Sequence, residues 1–417
     1  MEPLTPSMTR EQRLLFDLLS SKPAGRPGSQ DAISWDDFLR LAVGLGLSPF
    51  LAYLLQEGSL ELPDPVREQI LERGRANTRR QLRRLAALRQ IAAALEGARI
   101  PLMVLKGMAL AYLAYPNPYC RSMADVDLLV RRADLEKAGE LVCGLGFRET
   151  AEVDLMERFR PENQPRQCFS LVSSDGQVQV EIHAYLRSFA EFGINSDSLW
   201  DRSLLTSLGG VPVRVPCPED FIQHLCLHIG AHDHYFGRLQ GLLDFRFYLE
   251  RYGKEMDWQA IADHSLRHGT SAWIYLTLWL AQELLGAPVP ADFFQAYPAP
   301  KYLDDLIRLA TYHLQYVPEV PVKSSFVKLF AARSSRERWR ALAEHWSKAG
   351  PRVGGGQGRK AKWTWLGDYF TFALHRLKFY VRAGILRPSV RNAAAECQAS
   401  RARLLDLMAS QGAGSLP

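Results

Sequence analysis

The 417-residue chain lacks the features that would mark it as exported, membrane-spanning or zinc-built. Its six cysteines are Cys120, Cys143, Cys168, Cys217, Cys226 and Cys397, and none lies in a Cys-x-x-Cys pair. That spacing argues against a structural zinc site and against a disulfide framework, so a reducing cytoplasm is the expected location. Residues 1 to 27 are polar and mixed in charge, without a long apolar core, and no export signal is expected there. The longest apolar stretches, Leu41 to Leu55 and Ala272 to Ala281, are too short to cross a bilayer. The first is also interrupted by Gly44, Gly46, Ser48 and Pro49. Neither sign of charge dominates: 51 lysines and arginines stand against 45 aspartates and glutamates, a formal excess of +6. Such a balance suits a phosphate-bearing ligand but falls short of a nucleic-acid-binding composition. No internal repeat is visible.

What is present is a length sufficient for two or three domains and a patterned alternation of elements. Residues 9 to 98 read as helical, and Pro63 and Pro65 introduce a long amphipathic helix from Val66 to Leu95. Residues 100 to 216 alternate. Ile100 to Leu105, Asp125 to Val130, Phe147 to Thr150, Cys168 to Val172, Gln177 to His183 and Val211 to Val215 read as strands. Met108 to Tyr115 and Ala133 to Leu145 read as helices, the second ended by Gly146. Ser173-Ser174-Asp175-Gly176 is a hairpin turn signal. From Glu219 onward the pattern is helical again, with a buried helix over Ser271 to Leu285. The expected division is a helical region over 1–98, an α/β core over 99–216 and a helical domain completing the cleft over 217–346. A Gly- and base-rich linker over 347–362 and C-terminal helices over 363–417 follow. The fold class is α+β: a small mixed sheet between helical regions.

The segment Leu105 to Val130, LKGMALAYLAYPNPYCRSMADVDLLV, carries the chemistry. Asp125 and Asp127 stand two apart in a strand, so their carboxylates project from one face. Like charges that close repel unless a cation lies between them, and a hard divalent ion answers the need. Glu181 in VQVEIHAYL offers a third carboxylate from a neighbouring strand. Gly107 falls at a strand-to-helix junction, where bare backbone N–H groups favour an anion. Lys106 and Arg121 are candidate phosphate partners, the lysine as a point charge and the arginine as a planar fork.

These motifs resemble a known family. Lys106-Gly107, Arg121, Asp125-x-Asp127 and Glu181-Ile182-His183, followed by Pro218-Glu219-Asp220, His228, His232 and Leu243-Asp244, resemble the uncharacterised nucleotidyltransferases of the DNA polymerase beta-like superfamily. The likeness covers roughly residues 70 to 250. It implies a polymerase beta-like core and a transfer of a nucleoside monophosphate from an NTP, ATP being the expected donor, with release of pyrophosphate. Asp125, Asp127 and Glu181 would hold two Mg²⁺ or Mn²⁺ ions. Lys106, Gly107, Met108 and Arg121 would meet the nucleotide, and His183, His228, His232 and Asp244 would support the carboxylates or the acceptor. Two positions depart from the superfamily pattern. Met108 stands where a serine often meets the triphosphate, and Ala184 where a tryptophan often follows the histidine.

Two further features carry alternative readings. His224, His228 and His232 recur every four residues, with His234 just beyond. A metal-binding stripe and a polar face packed beside the cleft both fit, and the second is preferred. Asp244, on the following helix, is expected to orient one of these histidines. Arg73, Arg75, Arg79, Arg80, Arg83, Arg84 and Arg89 make a basic helix whose buried side is expected at Leu82, Leu85 and Leu88. No aromatic residue interleaves with the arginines, so a solvated face is preferred to an RNA-binding one. A polyanion or acidic protein is the alternative partner. The segment Tyr369 to Tyr380 is amphipathic with basic flanks and is expected to pack in a helical domain. The acceptor is left open between a small molecule and a peptide or protein. A non-catalytic nucleotide-binding scaffold is the alternative that Met108 keeps in view.

Overall fold

The computed structural model describes residues 8–21, 33–150, 166–297, 299–315 and 388–411. The linker expected over 347–362, the helix expected over Trp363 to Ala383 and the amphipathic segment Tyr369 to Tyr380 lie outside them. The chain divides into two compact units, the first comprising Met1–Glu149, Gln167–Val317 and Leu407–Pro417, the second Thr150–Arg166 and Pro318–Asp406. In the second unit the described residues are Thr150, Arg166 and those of the helix Pro388–Ala409 up to Asp406. Among the described residues no single helix is long and apolar enough to cross a membrane.

Seven strands form one mixed sheet: β1 (Met103–Val104), β2 (Asp125–Leu129), β3 (Phe147–Glu149), β4 (Cys168–Ser173), β5 (Gln179–His183), β6 (Leu204–Leu208) and β7 (Val211–Val215), in the spatial order β3-β4-β5-β2-β1-β7-β6. The fold is therefore α+β with helices before and after the sheet. β2 runs antiparallel to β1 and parallel to β5, with Asp127 opposite Glu181 and Leu129 opposite His183. Period-2 alternation sends Val126, Leu128, Val180 and Ile182, all fully buried, to the other face.

Helix α6 (Leu135–Gly144) covers that apolar face, burying Leu135, Ala138, Gly139 and Val142 at helical spacing. A Cβ on Gly139 would stand 2.4 Å from the Phe169 ring. The glycine is there because helix and sheet approach that closely. The opposite face, bearing the carboxylates, is left for a cavity.

Three sequence expectations differ from the structure. The strand expected over Ile100 to Leu105 shrinks to two residues, because Lys106 already opens helix α5 (Lys106–Leu113). β6 was not anticipated, since Leu204 and Leu205 point outward and leave no alternating signal; its turn, Gly209-Gly210, has both φ angles positive (57° and 82°), as a tight hairpin requires. The long helix α4 runs over Asp64–Gly97 and buries Ile70, Asn77, Gln81, Arg84, Leu88, Ile91 and Leu95 rather than a leucine stripe. Leu82 is 48% exposed. A helix buries positions three and four apart, and Leu82 falls off that row.

Further helices surround the sheet, and Gly44, His224, Gln240, Gly241 and Asp244 from three of them line the cleft. These helices are α1 (Arg10–Leu19), α2 (Trp35–Gly44), α3 (Ser48–Gln56), α7 (Pro218–Leu227), α8 (Leu239–Tyr252), α9 (Trp258–Arg267), α10 (Ser271–Leu285) and α11 (Leu303–Gln315). Pro218-Glu219-Asp220 starts α7: proline suits a first helical turn, and buried Asp220 accepts from Arg202 Nε at 3.0 Å and Nη2 at 2.7 Å.

Candidate active site

One carboxylate oxygen from each of Asp125, Asp127 and Glu181 lies within 4.8 Å of the other two. The parallel pairing of β2 and β5 places them so. Lys106 reaches the group from the start of α5, and its Nζ donates to Asp127 Oδ1 at 2.7 Å. His183 Nε2 lies 3.4 Å from the same oxygen and 3.3 Å from Glu181 Oε2. Cys168, opposite His183 on β4, forms a second close set with Glu181 and His183. Nothing in the sequence pattern singled out that cysteine, whose neighbour is set by strand register.

These contacts divide the charges. Burial works to raise the Asp127 carboxyl, but the Lys106 charge and the His183 hydrogen bond outweigh it and hold the group well below the usual range. Asp125 moves the other way. Burial, Asp127 and Glu181 push it up to about 6. Burial opposes the charge on His183, yet its bonds to Asp127, Cys168 and Glu181 raise it well above the ordinary value. Lys106 therefore satisfies one carboxylate and leaves Asp125 under repulsion. Three hard oxygen donors, with the charge of Asp125 left unmet, fit Mg²⁺ or Mn²⁺ better than a soft metal.

Lys106 has φ of +38°, in the left-handed region that a side chain normally avoids. That strain sits at the junction where the chain turns from strand to helix beside the carboxylates. Gly107 follows. Its own φ is ordinary, and the need for glycine is steric: a Cβ would meet Arg121 Nη1 at 2.9 Å and Met123 Cβ at 3.3 Å. Met108 is fully buried and faces the core, so its side chain does not line the cavity. Any contact of Met108 with a ligand falls to its backbone.

Arg121 and Asp244 meet each other. Arg121 Nε and Nη2 donate to Asp244 Oδ1 and Oδ2 at 2.7 Å each, and Tyr115 Oη donates to Oδ1 at 2.6 Å. Asp244 is thus not the partner of a histidine, as expected from its place on the next helix. Its two oxygens are taken up by the guanidinium fork and a phenol. The arginine's remaining nitrogen, Nη1, donates to the Ser122 carbonyl at 3.1 Å, at the cavity wall. This pair ties the β2 entry loop to α8.

The same loop is gripped from α4. Asn77 Nδ2 donates to the carbonyls of Tyr119 (2.8 Å) and Arg121 (3.1 Å), Gln81 Nε2 to Arg121 O (2.8 Å) and Arg84 Nη2 to Ala124 O (2.9 Å). Gln240 Nε2 adds a bond to Ser122 O at 2.8 Å. Every carbonyl from Arg121 to Ala124 except that of Met123 is held in these bonds, which fixes the approach to Asp125. The signal was available. Polar residues at 77, 81 and 84 continue the 3-and-4 spacing of Ile70, Leu88, Ile91 and Leu95, and polar residues in a core row have something to bind.

His224, His228 and His232 all line the cavity. α7 continues into one wide turn over His228–His232, and the His228 and His232 rings stack at 5.5 Å. His224 Nδ1 is 2.9 Å from Ser188 Oγ, and burial, Lys106 and His228 hold it well below the ordinary histidine value. Burial and Lys106 likewise hold His228 down at about 3. His234 leaves the row: its φ is +54° and its carbonyl accepts from His313 Nδ1 at 2.8 Å. The cavity enclosed by these elements has a volume of about 740 Å³ and is lined by Lys106, Asp125, Asp127, Glu181, His183, His228 and His232 among others.

A family model described as "uncharacterised nucleotidyltransferase" matches residues 31–286. No curated protein matches the chain.

Proposed function

The chain belongs to the uncharacterised nucleotidyltransferase family, and on that premise we propose that it transfers a nucleoside monophosphate from an NTP, ATP foremost, to an acceptor hydroxyl. The observation that carries this reading is the close set of Asp125, Asp127 and Glu181 facing a cavity. Asp125, Asp127 and Glu181 would hold two Mg²⁺ or Mn²⁺ ions. Bound there, the ions supply charge neutralisation for the triphosphate and acidify the acceptor hydroxyl.

The chain's own groups have separable tasks. Lys106 holds Asp127 in place and adds positive charge beside the phosphates. The open N-terminus of α5, which no side chain caps, presents Gly107 and Met108 backbone N–H groups to an anion. Arg121 acts chiefly by anchoring the β2 entry loop through Asp244. Glu181, partly exposed to the cavity, is placed to take the proton of the acceptor hydroxyl as its oxygen attacks the α-phosphorus. The bond between the α-phosphorus and the bridging oxygen breaks, and pyrophosphate leaves. Neutral His228, with His232 stacked on it, lies along the wall where a base or acceptor would pack.

The test is incubation of the full chain and a cell extract with each α-³²P-NTP and Mg²⁺ or Mn²⁺. Label on an acceptor, with pyrophosphate release and neither in the Asp125→Ala/Asp127→Ala variant, supports the reading. Metal-dependent NTP binding without transfer to any component favours the scaffold alternative, in which the nucleotide is held and not turned over.

A further inference from the structure

The arginine helix is only partly explained by the site above. Arg84 grips the β2 entry loop, Arg83 Nη1 donates to Gln177 Oε1 at 3.0 Å and Arg89 Nη2 to Gly209 O at 3.3 Å. Arg73 and Arg80 have a different setting. They lie with Gln69, Glu72 and Ala76 on one face of α4, and that face lines a second cavity of about 360 Å³. Gly46 and Ser122 line both this cavity and the one holding the carboxylates. The two spaces therefore adjoin across the β2 entry loop.

Resting on the nucleotidyltransferase reading, we propose that this second cavity binds the acceptor, and that the acceptor is a hydroxylated phosphate monoester such as a polyol or sugar phosphate. Neither Arg73 nor Arg80 has an ion-pair partner among the described residues. Arg73 and Arg80 line the cavity together with the small Ala76, and their guanidinium forks offer a phosphate planar, charge-assisted donors. Ser48 borders the same cavity. It is 5% exposed, and its Oγ makes no hydrogen bond. Ser48 also opens α3, a nine-residue helix whose first turn no side chain caps, so the helix end adds to the positive potential. Glu72 tells against a bare phosphate and for a hydroxylated one. Its carboxylate repels an anion but accepts from hydroxyls, as the Gln69 amide also does. A molecule with a phosphate at one end, held by the arginines, would extend a hydroxyl past Ser122 toward Glu181 and the α-phosphorus.

The experiment titrates the full chain in EDTA with glycerol 3-phosphate, inorganic phosphate, glycerate and glycerol by calorimetry. It compares wild type with Arg73→Gln/Arg80→Gln and with Asp125→Asn/Asp127→Asn. Both arginines are exposed, and circular dichroism and metal-dependent NTP binding check that their variant is folded. Glycerol 3-phosphate is expected to bind wild type and the aspartate variant alike, at least about tenfold more weakly to the arginine variant, and better than glycerate, while glycerol does not bind. Equal binding to the arginine variant overturns the proposal, and so does binding that depends on the aspartates. A ten-nucleotide RNA that binds through these arginines when no small phosphate does would also overturn it, in favour of a polyanion. Phosphate binding that survives alongside a failure of nucleotidyl transfer would refute the proposed reaction and leave this site standing as a phosphate site.

Discussion

Neutralising Asp125 should stabilise the metal-free protein while removing its response to metal. In the folded state Asp125 rises from an ordinary 3.8 to about 6 because it is buried beside Asp127 and Glu181. Such a rise corresponds to about 3 kcal/mol of unfavourable free energy at pH well above 6. The sign follows from the raised value. The group's favourable contribution is complete below pH 4 and is lost as pH climbs through about 6. Asp125→Asn keeps the shape and removes the charge. In EDTA at pH 8 it should be more stable than wild type by ~1–3 kcal/mol, allowing for imperfect amide hydrogen bonding. At pH 4 the two should converge. Wild type should gain about 2.7 kcal/mol from a metal at one hundred times its dissociation constant, and the variant little or nothing. Denaturant unfolding in EDTA and in MgCl₂, at both pH values, measures all four quantities. A variant less stable than wild type at pH 8 in EDTA, or one stabilised by Mg²⁺ to the wild-type extent, would refute the view that Asp125 is a strained metal ligand.

Other perturbations probe the supporting contacts. Asp244→Asn leaves the Arg121 fork buried without its counter-charge and should cost about 3–5 kcal/mol, read by urea unfolding. Gly107→Ala places a methyl 2.9 Å from Arg121 Nη1 and should cost about 1–3 kcal/mol while lowering transfer more than NTP binding. Gln81→Leu removes one of the two donors to the Arg121 carbonyl, leaving Asn77, and should destabilise by about 0.5–1.5 kcal/mol, read by urea unfolding. The transfer rate should show an acid limb near pH 6, where Asp125 takes up a proton, moving to lower pH as Mg²⁺ is raised. A limb insensitive to Mg²⁺ would mean that another group titrates.

Local periodicity made part of this site legible in the sequence. Asp125 and Asp127 sit two apart in a run whose alternate residues are apolar, and a strand can place them only one way. Gly107 and Lys106 were visible as a strand-to-helix junction, and the four-residue recurrence of histidines put His228 and His232 along one wall. What could not be read was pairing over long separations. The Arg121–Asp244 bond joins residues 123 apart, and the proximity of Cys168 to His183 follows from antiparallel register rather than from either segment alone. The α4 row was readable but misassigned. Leucine identity suggested Leu82 as core, whereas position along the 3-and-4 spacing buries Gln81 and Arg84, whose polar ends hold loop carbonyls. β6 escaped because both faces of its first residues are exposed, which erases the alternation a strand normally shows.

In the proposed reaction the α-phosphorus is the one attacked at the Asp125–Asp127–Glu181 group. Paired incubations with α-³²P-ATP and γ-³²P-ATP, in Mg²⁺ and with the acceptor from extract, test it most directly. The account predicts label on the acceptor from the α position, γ label recovered only in pyrophosphate, and loss of both signals in Asp125→Asn/Asp127→Asn. Acceptor labelled from the γ position, or α label transferred equally by the double variant, would contradict it.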